Sequence, residues 1–214
     1  MNKSAPDVLM LLATGCAYCP GVLNTLQTLQ KDGDIAELEA INISQQPEVA
    51  EQYNVRSVPF IKIGNIHLTG AQTRDEIMRA IEQSQAEQGL AQYYDDLLNN
   101  GQLAEATEHI HQHPENLSVL LERMQEKDIK ISVQIGIGAI FEDFAEHDAL
   151  LSLIPALTQL TQHSLARVRN DACFYLSLSA DNSVIPTIET LLDDDSDEVR
   201  ETAKDCLENL NTTN

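Results

Sequence analysis

Residues 15–20 read GCAYCP, and the fold turns on what this stretch is. Two cysteines separated by two residues serve half of a zinc site, a lipid anchor, or the working end of a redox enzyme. Directly before them, Val8 to Thr14 read VLMLLAT, a continuous apolar run bounded by Asp7 and Gly15. That is the pattern of a strand buried on both faces. Directly after them, Pro20 suits the first turn of a helix, and Val22, Leu23, Leu26 and Leu29 form an apolar stripe that stops at KDGD, residues 31–34. The cysteines therefore sit in a strand, loop, helix setting. A structural zinc site needs two more Cys or His nearby, and this part of the chain offers only His67. The run from Val8 to Ala13, preceded by Pro6 and Asp7, is too short for a good signal peptide, which disfavours a lipidated Cys16.

Outward from this stretch, LEAINIS (residues 38–44) alternates as a second strand, and PEVAEQYN opens a short helix at Pro47. FIKIG and IHLTG flank Asn65 as a hairpin. TRDEIMRAIEQ closes the segment as an amphipathic helix, with Thr73 as N-cap, Glu76 three residues on, and Ile77 and Ile81 turned inward. The predicted order is βαβαββα.

CAYCP, AEQYNVRSVPF and LTGAQTRDEI, in this element order and with a proline immediately before the third strand, resemble the protein disulfide oxidoreductases of the thioredoxin superfamily. They are also similar to the redox-active N-terminal domain of the alkyl hydroperoxide reductase flavoprotein. The resemblance covers residues 7 to about 85. Gly15 stands where thioredoxins carry Trp, Met10 where they carry a buried Asp, and Gly70-Ala71 where glutaredoxins carry a Gly-Gly pair. The resemblance implies a cis bond between Val58 and Pro59, lying against the cysteines and exposing the Val58 backbone to an extended substrate. It requires no cofactor. A cysteine at a helix N-terminus meets unpaired N–H groups and the positive end of the dipole, which favour thiolate. Cys16 is thus the expected nucleophile and Cys19 the resolving thiol.

Beyond SQAEQG (residues 84–89) strand alternation ends and a repeat begins, which divides the chain into domains at 1–88 and 89–214. Ile154-Pro155, Leu157 and Leu160 recur as Ile185-Pro186, Ile188 and Leu191. Val168-Arg169, Ala172 and Leu176 recur as Val199-Arg200, Ala203 and Leu207, every offset being 31. These paired helices resemble HEAT repeats of the short kind, clearest over residues 150–210. A looser pair covers LSVLLERM and IKISVQIGIGAIFEDF, and a degenerate one LAQYYDDLLNN and QLAEATEHIHQH. The fold class is an α/β thioredoxin-like domain followed by an all-α HEAT-like domain. Cys173 and Cys206, at offset 33 rather than 31, are read as free thiols facing different ways. His109, His111 and His113 precede Pro114, and the reading preferred over a metal site is a helix C-terminus, which favours imidazoles electrostatically.

Composition narrows the function. The chain has 214 residues, 43% of them hydrophobic, enough for real cores rather than disorder. Its net charge is −21, with six basic and eleven acidic residues up to position 88 and seven and twenty-three beyond it. Such a chain repels nucleic-acid backbones and anionic membranes, so neither is an expected partner. The acidic run Asp193, Asp194, Asp195, Asp197 and Glu198 falls in an inter-helix turn, where the first reading is a solvated face that keeps the protein soluble and the alternative is a surface that steers a basic client. A close cysteine pair suits cytoplasmic redox chemistry. The expected activity is thiol-disulfide exchange with a protein disulfide or dithiol client, coupled to an unidentified reductase or oxidant, the helical repeats docking the client. The alternative is a non-catalytic adaptor that uses both domains as a scaffold.

Overall fold

The computed structural model describes residues 4–212. The first unit follows the expected order: β1 (Val8–Leu12), α1 (Cys19–Asp32), β2 (Leu38–Asn42), α2 (Pro47–Gln52), β3 (Phe60–Ile63), β4 (Ile66–Thr69) and α3 (Arg74–Gln85). The four strands form one mixed sheet in the order β2-β1-β3-β4. β1 runs parallel to β2 and antiparallel to β3, and β3 and β4 form the hairpin across Gly64-Asn65. Centrality explains the apolar run in β1: Val8, Met10 and Leu11 are all buried. Val22, Leu26 and Leu29 of α1 and Ile77, Ala80 and Ile81 of α3 complete this core. α3 starts where the sequence places it. The Thr73 hydroxyl accepts from the Glu76 N–H at 3.3 Å, and the Glu76 carboxylate accepts from the Thr73 N–H at 2.7 Å, a reciprocal cap.

The helix that follows, α4 (Gly89–Asn99), spans the division between the two compact units, which falls between Asp96 and Leu97 rather than in the polar segment before residue 89. Side chains hold its first two turns to the sheet unit. Tyr93 is buried and donates its hydroxyl proton to the His67 carbonyl at 2.8 Å, and the Gln83 amide donates to Asp96 at 2.8 Å.

The second unit is helical throughout its described residues. It contains α5 (Leu103–Gln112), α6 (Leu117–Arg123), α7 (Ile131–Asp143), the single turn α8 (Asp148–Leu151), α9 (Ile154–Leu160), α10 (Ala166–Ser177), α11 (Ile185–Thr190) and α12 (Asp197–Thr212). The period of 31 marks core positions. Leu157 and Ile188, Leu160 and Leu191, Val168 and Val199, and Ala172 and Ala203 are buried in pairs. The equivalence lapses at Leu176, which is buried while Leu207 is half-buried; α12 inserts Cys206 and Leu210 instead.

Two expectations for this unit change. Cys173 and Cys206 do not face different ways: both are buried free thiols, and Cys206 Sγ lies 3.9 Å from the Cys173 carbonyl oxygen. Neighbouring helices meet through opposite flanks, so residues that touch across a stack do not share a repeat position. The neighbouring Cys206 thiol, with burial added, pushes the Cys173 pKa far up. The acidic run is also more committed than its composition suggests. Arg169 donates a bidentate pair of hydrogen bonds to Asp194, both at 2.7 Å, and also bonds Asp195 and the His163 carbonyl. Arg200 bonds Asp197 and the Asp194 carbonyl. Asp194 caps the turn into α12 by accepting from the Ser196 N–H at 2.9 Å. Two of the five acids, Asp194 and Asp195, therefore join one repeat to the next, and a third, Asp197, is paired within α12.

Candidate active site

Cys16 lies in the loop between β1 and α1, and local geometry aims it. Gly15 adopts φ +83°, a region costly for residues with a Cβ, and the Cys16 N–H donates to the Ala13 carbonyl at 3.2 Å. Polar bonds then fasten this loop to the end of β2. The Asn42 amide donates to the Thr14 hydroxyl at 3.1 Å, the Thr14 N–H to the Ser44 hydroxyl at 3.1 Å, and the Ser44 N–H to the Asn42 side-chain oxygen at 3.0 Å. They are within reach because Leu12 and Asn42 are partners in the parallel pair. Sequence reasoning missed these three residues. Their signal was a polar residue just past each of two apolar runs, which carries meaning only once the strands are known to pair in parallel.

Helix α1 begins at Cys19, with Pro20 next, so Cys16 stands one turn ahead of the helix rather than within it. Its Sγ accepts the Cys19 N–H at 3.1 Å, which places the sulfur on a donor at the helix start. The two cysteines are joined as a disulfide with Cα atoms 5.5 Å apart. Their environments differ. Cys19 is buried at 4% exposure, whereas Cys16 is half-buried beside an exposed Ala17 and a 65% exposed Tyr18.

A third segment closes the site. The Val58–Pro59 peptide is cis, and the Val58 carbonyl oxygen lies 3.8 Å from Cys16 Sγ. The structure thus brings together all four residues singled out from the sequence. The three histidines belong to the helical unit: α5 ends at Gln112 with His113 as its C-cap, His109 is buried, and His111 Nε2 lies 2.6 Å from Asp143.

An accessible sulfur hydrogen-bonded by a helix's first N–H, a buried sulfur behind it and a cis-proline loop in front, on a four-stranded mixed sheet, define a thiol-disulfide oxidoreductase of the thioredoxin fold. Residues 7–83 match the thioredoxin domain, and residues 184–212 match the HEAT repeat. The chain is 30% identical over 69 residues to a thioredoxin of Methanocaldococcus jannaschii, a match covering 31% of this chain and 81% of that protein. It is 35% identical over 68 residues to a probable thioredoxin of Methanothermobacter thermautotrophicus, covering 31% of this chain and 80% of that protein. A probable thioredoxin of Methanothermobacter marburgensis matches to the same extent. The chain belongs to the thioredoxin family. Among the described residues, no helix is long and apolar enough to cross a membrane.

Proposed function

We propose that Cys16 is the attacking thiolate and Cys19 the resolving thiol in disulfide exchange with a protein client that the helical repeats dock. The observation that carries this reading is the asymmetry of the pair: Cys16 is reachable and its sulfur accepts the Cys19 N–H, whereas Cys19 is shielded. In the reduced protein, Cys16 thiolate attacks one sulfur of the client disulfide. The client S–S bond breaks, a Cys16–client bond forms, and the departing client thiolate takes up a proton. Cys19 then loses its proton and attacks Cys16 Sγ, which restores the Cys16–Cys19 bond and expels the second client thiolate. Two electrons and two protons pass to the client, and the same steps reversed oxidise a client dithiol. Val58 and Pro59 hold the client: the Val58 backbone beside Cys16 pairs with an extended segment flanking the client's cysteine. A separate dithiol reductant or oxidant resets the pair. The cytoplasm is the compartment that suits this cycle, since thiols are kept reduced there.

Trapping tests the assignment. Cys19→Ser should leave the client bound to Cys16 as a mixed disulfide that thiol reductants release, with mass spectrometry locating the bond, while Cys16→Ser should trap nothing. Mixed disulfides on Cys19 of the Cys16→Ser protein, or wild-type turnover by either variant, would overturn it. A chain that exchanges no disulfide yet still retains the partner would be acting as an adaptor.

A further inference from the structure

We infer that the helical unit binds a basic amphipathic helix of a partner polypeptide on the face shared by α7, α10 and α12, an inference that rests on reading the repeats as a docking unit. The apolar part of this face is Ile131 and Ile135, which are 75% and 68% exposed and sit one turn apart on α7. Isolated exposed apolar residues are ordinary, but a branched pair at this spacing matches the i, i+4 anchors by which helices seat on one another. Gly138, three residues past Ile135, leaves the surface without a side chain, the Tyr175 hydroxyl lying 3.7 Å from where a Cβ would stand.

The rim of the face is acidic. Gln134 donates to Asp171 at 3.5 Å, which joins α7 to α10. α12 packs against α10, and the charge of its Glu198 adds to the burial that pushes the Asp171 carboxyl up. Glu142, two turns past Ile135, lies in the field of Tyr175 together with Asp171. Asp171 is paired with Arg167 at 3.3 Å, but Glu142 and Glu198 make no ion pair among the described residues. These carboxylates differ from Asp194, Asp195 and Asp197, whose charges the arginines already meet. Two exposed isoleucines bordered by uncompensated carboxylates complement a helix with two apolar anchors flanked by Lys and Arg. A second copy of this chain is a poor occupant, because it carries the same −21 charge and the same carboxylates.

The test uses the full-length chain and three fluorescein-labelled helical peptides. One carries Leu at i and i+4 among Lys and Arg, one has those Leu replaced by Ser, and one has the Lys and Arg replaced by Glu. By fluorescence anisotropy the wild type should bind the first peptide and neither of the others. Ile131→Ser with Ile135→Ser should weaken binding at least tenfold. Glu142→Gln with Glu198→Gln should weaken it and remove most of its dependence on NaCl. Failure of the wild type to bind, or unchanged binding by either variant, overturns the inference. So does a dimer in sedimentation velocity that the isoleucine substitutions abolish, since a second copy would then cover the face. Single-turnover reduction of dithiobis(nitrobenzoate) by the pre-reduced proteins separates the two readings. All variants should match the wild type there, whereas an inactive wild type would sink the redox assignment regardless of peptide binding.

Discussion

Replacing Asp194 with Asn removes one charge from the join between repeats while keeping its shape and an oxygen for the Ser196 N–H. The Arg169 and Asp194 side chains are only 12% and 7% exposed, so solvent screens this pair little. Arg169's hydrogen bonds, first among the causes, hold the Asp194 carboxyl down to about 2 from the usual 3.8. At about 1.4 kcal/mol per tenfold in proton affinity, the carboxylate contributes about 2 kcal/mol to the folded helical unit. The contribution of a carboxyl depressed on folding is fully present above its unfolded value and is lost as pH falls toward its folded value. Here that window runs from about pH 4 down to about pH 2, and roughly half of the contribution should be gone at pH 3. Asp194→Asn should therefore lower the helical melting transition by about 6–10 °C at pH 7, and by about half as much at pH 3. Arg169→Lys should fall between the two proteins, because a lysine cannot reproduce the bidentate fork. Far-UV circular dichroism melts at both pH values measure all three. Coincident melts at pH 7, or a gap that stays constant down to pH 3, would refute the pairing energetics.

Three further outcomes follow from other parts of the chain. In the reduced native protein iodoacetamide should modify Cys16 first, at lower pH than any other thiol, which peptide mapping after graded-pH pulses would show; equal labelling of Cys16 and Cys19 counts against the assignment. Thr73→Ala removes the hydroxyl of the α3 cap and should destabilise the sheet unit by about 1 kcal/mol in urea titration, with the dithiobis(nitrobenzoate) rate unchanged. Gly136→Ala would place a Cβ 2.5 Å from Leu98 Cδ2, so overpacking should cost about 1–3 kcal/mol in the helical unit; a variant as stable as the wild type would show that Leu98 turns aside freely.

The heart of the redox unit was legible because its parts are neighbours in sequence. Val8 to Leu12, Cys16, Cys19 and Pro20 lie on one short stretch, where apolar runs and a helix-starting proline carry their meaning locally. Val58 and Pro59 were placed opposite Cys16 only through a family resemblance, since nothing in forty intervening residues encodes that closure. Asn42 and Ser44 stayed hidden because the parallel register alone brings them to Thr14. In the helical unit, a period of 31 located the core positions but misjudged Cys173 and Cys206, because sharing a position in successive repeats differs from touching between them. The acidic run was misjudged for a related reason: composition counts charges, and Arg169 and Arg200 come from opposite sides of the turn to meet three of them.

The burial of Cys173 and Cys206 makes the chain its own stability gauge. A thiol reagent added to the reduced native protein meets an open Cys16 at once, but reaches the other pair only when α10 and α12 part. Where reclosing outpaces modification, the slow labelling rate is the rate at an unprotected thiol multiplied by the fraction of molecules open at that instant. Cys173 and Cys206 therefore report the free energy of parting the last two repeats, without denaturant, in the same tube that reports the reactivity of Cys16. Any substitution in the acidic turn can be read on both scales in one experiment.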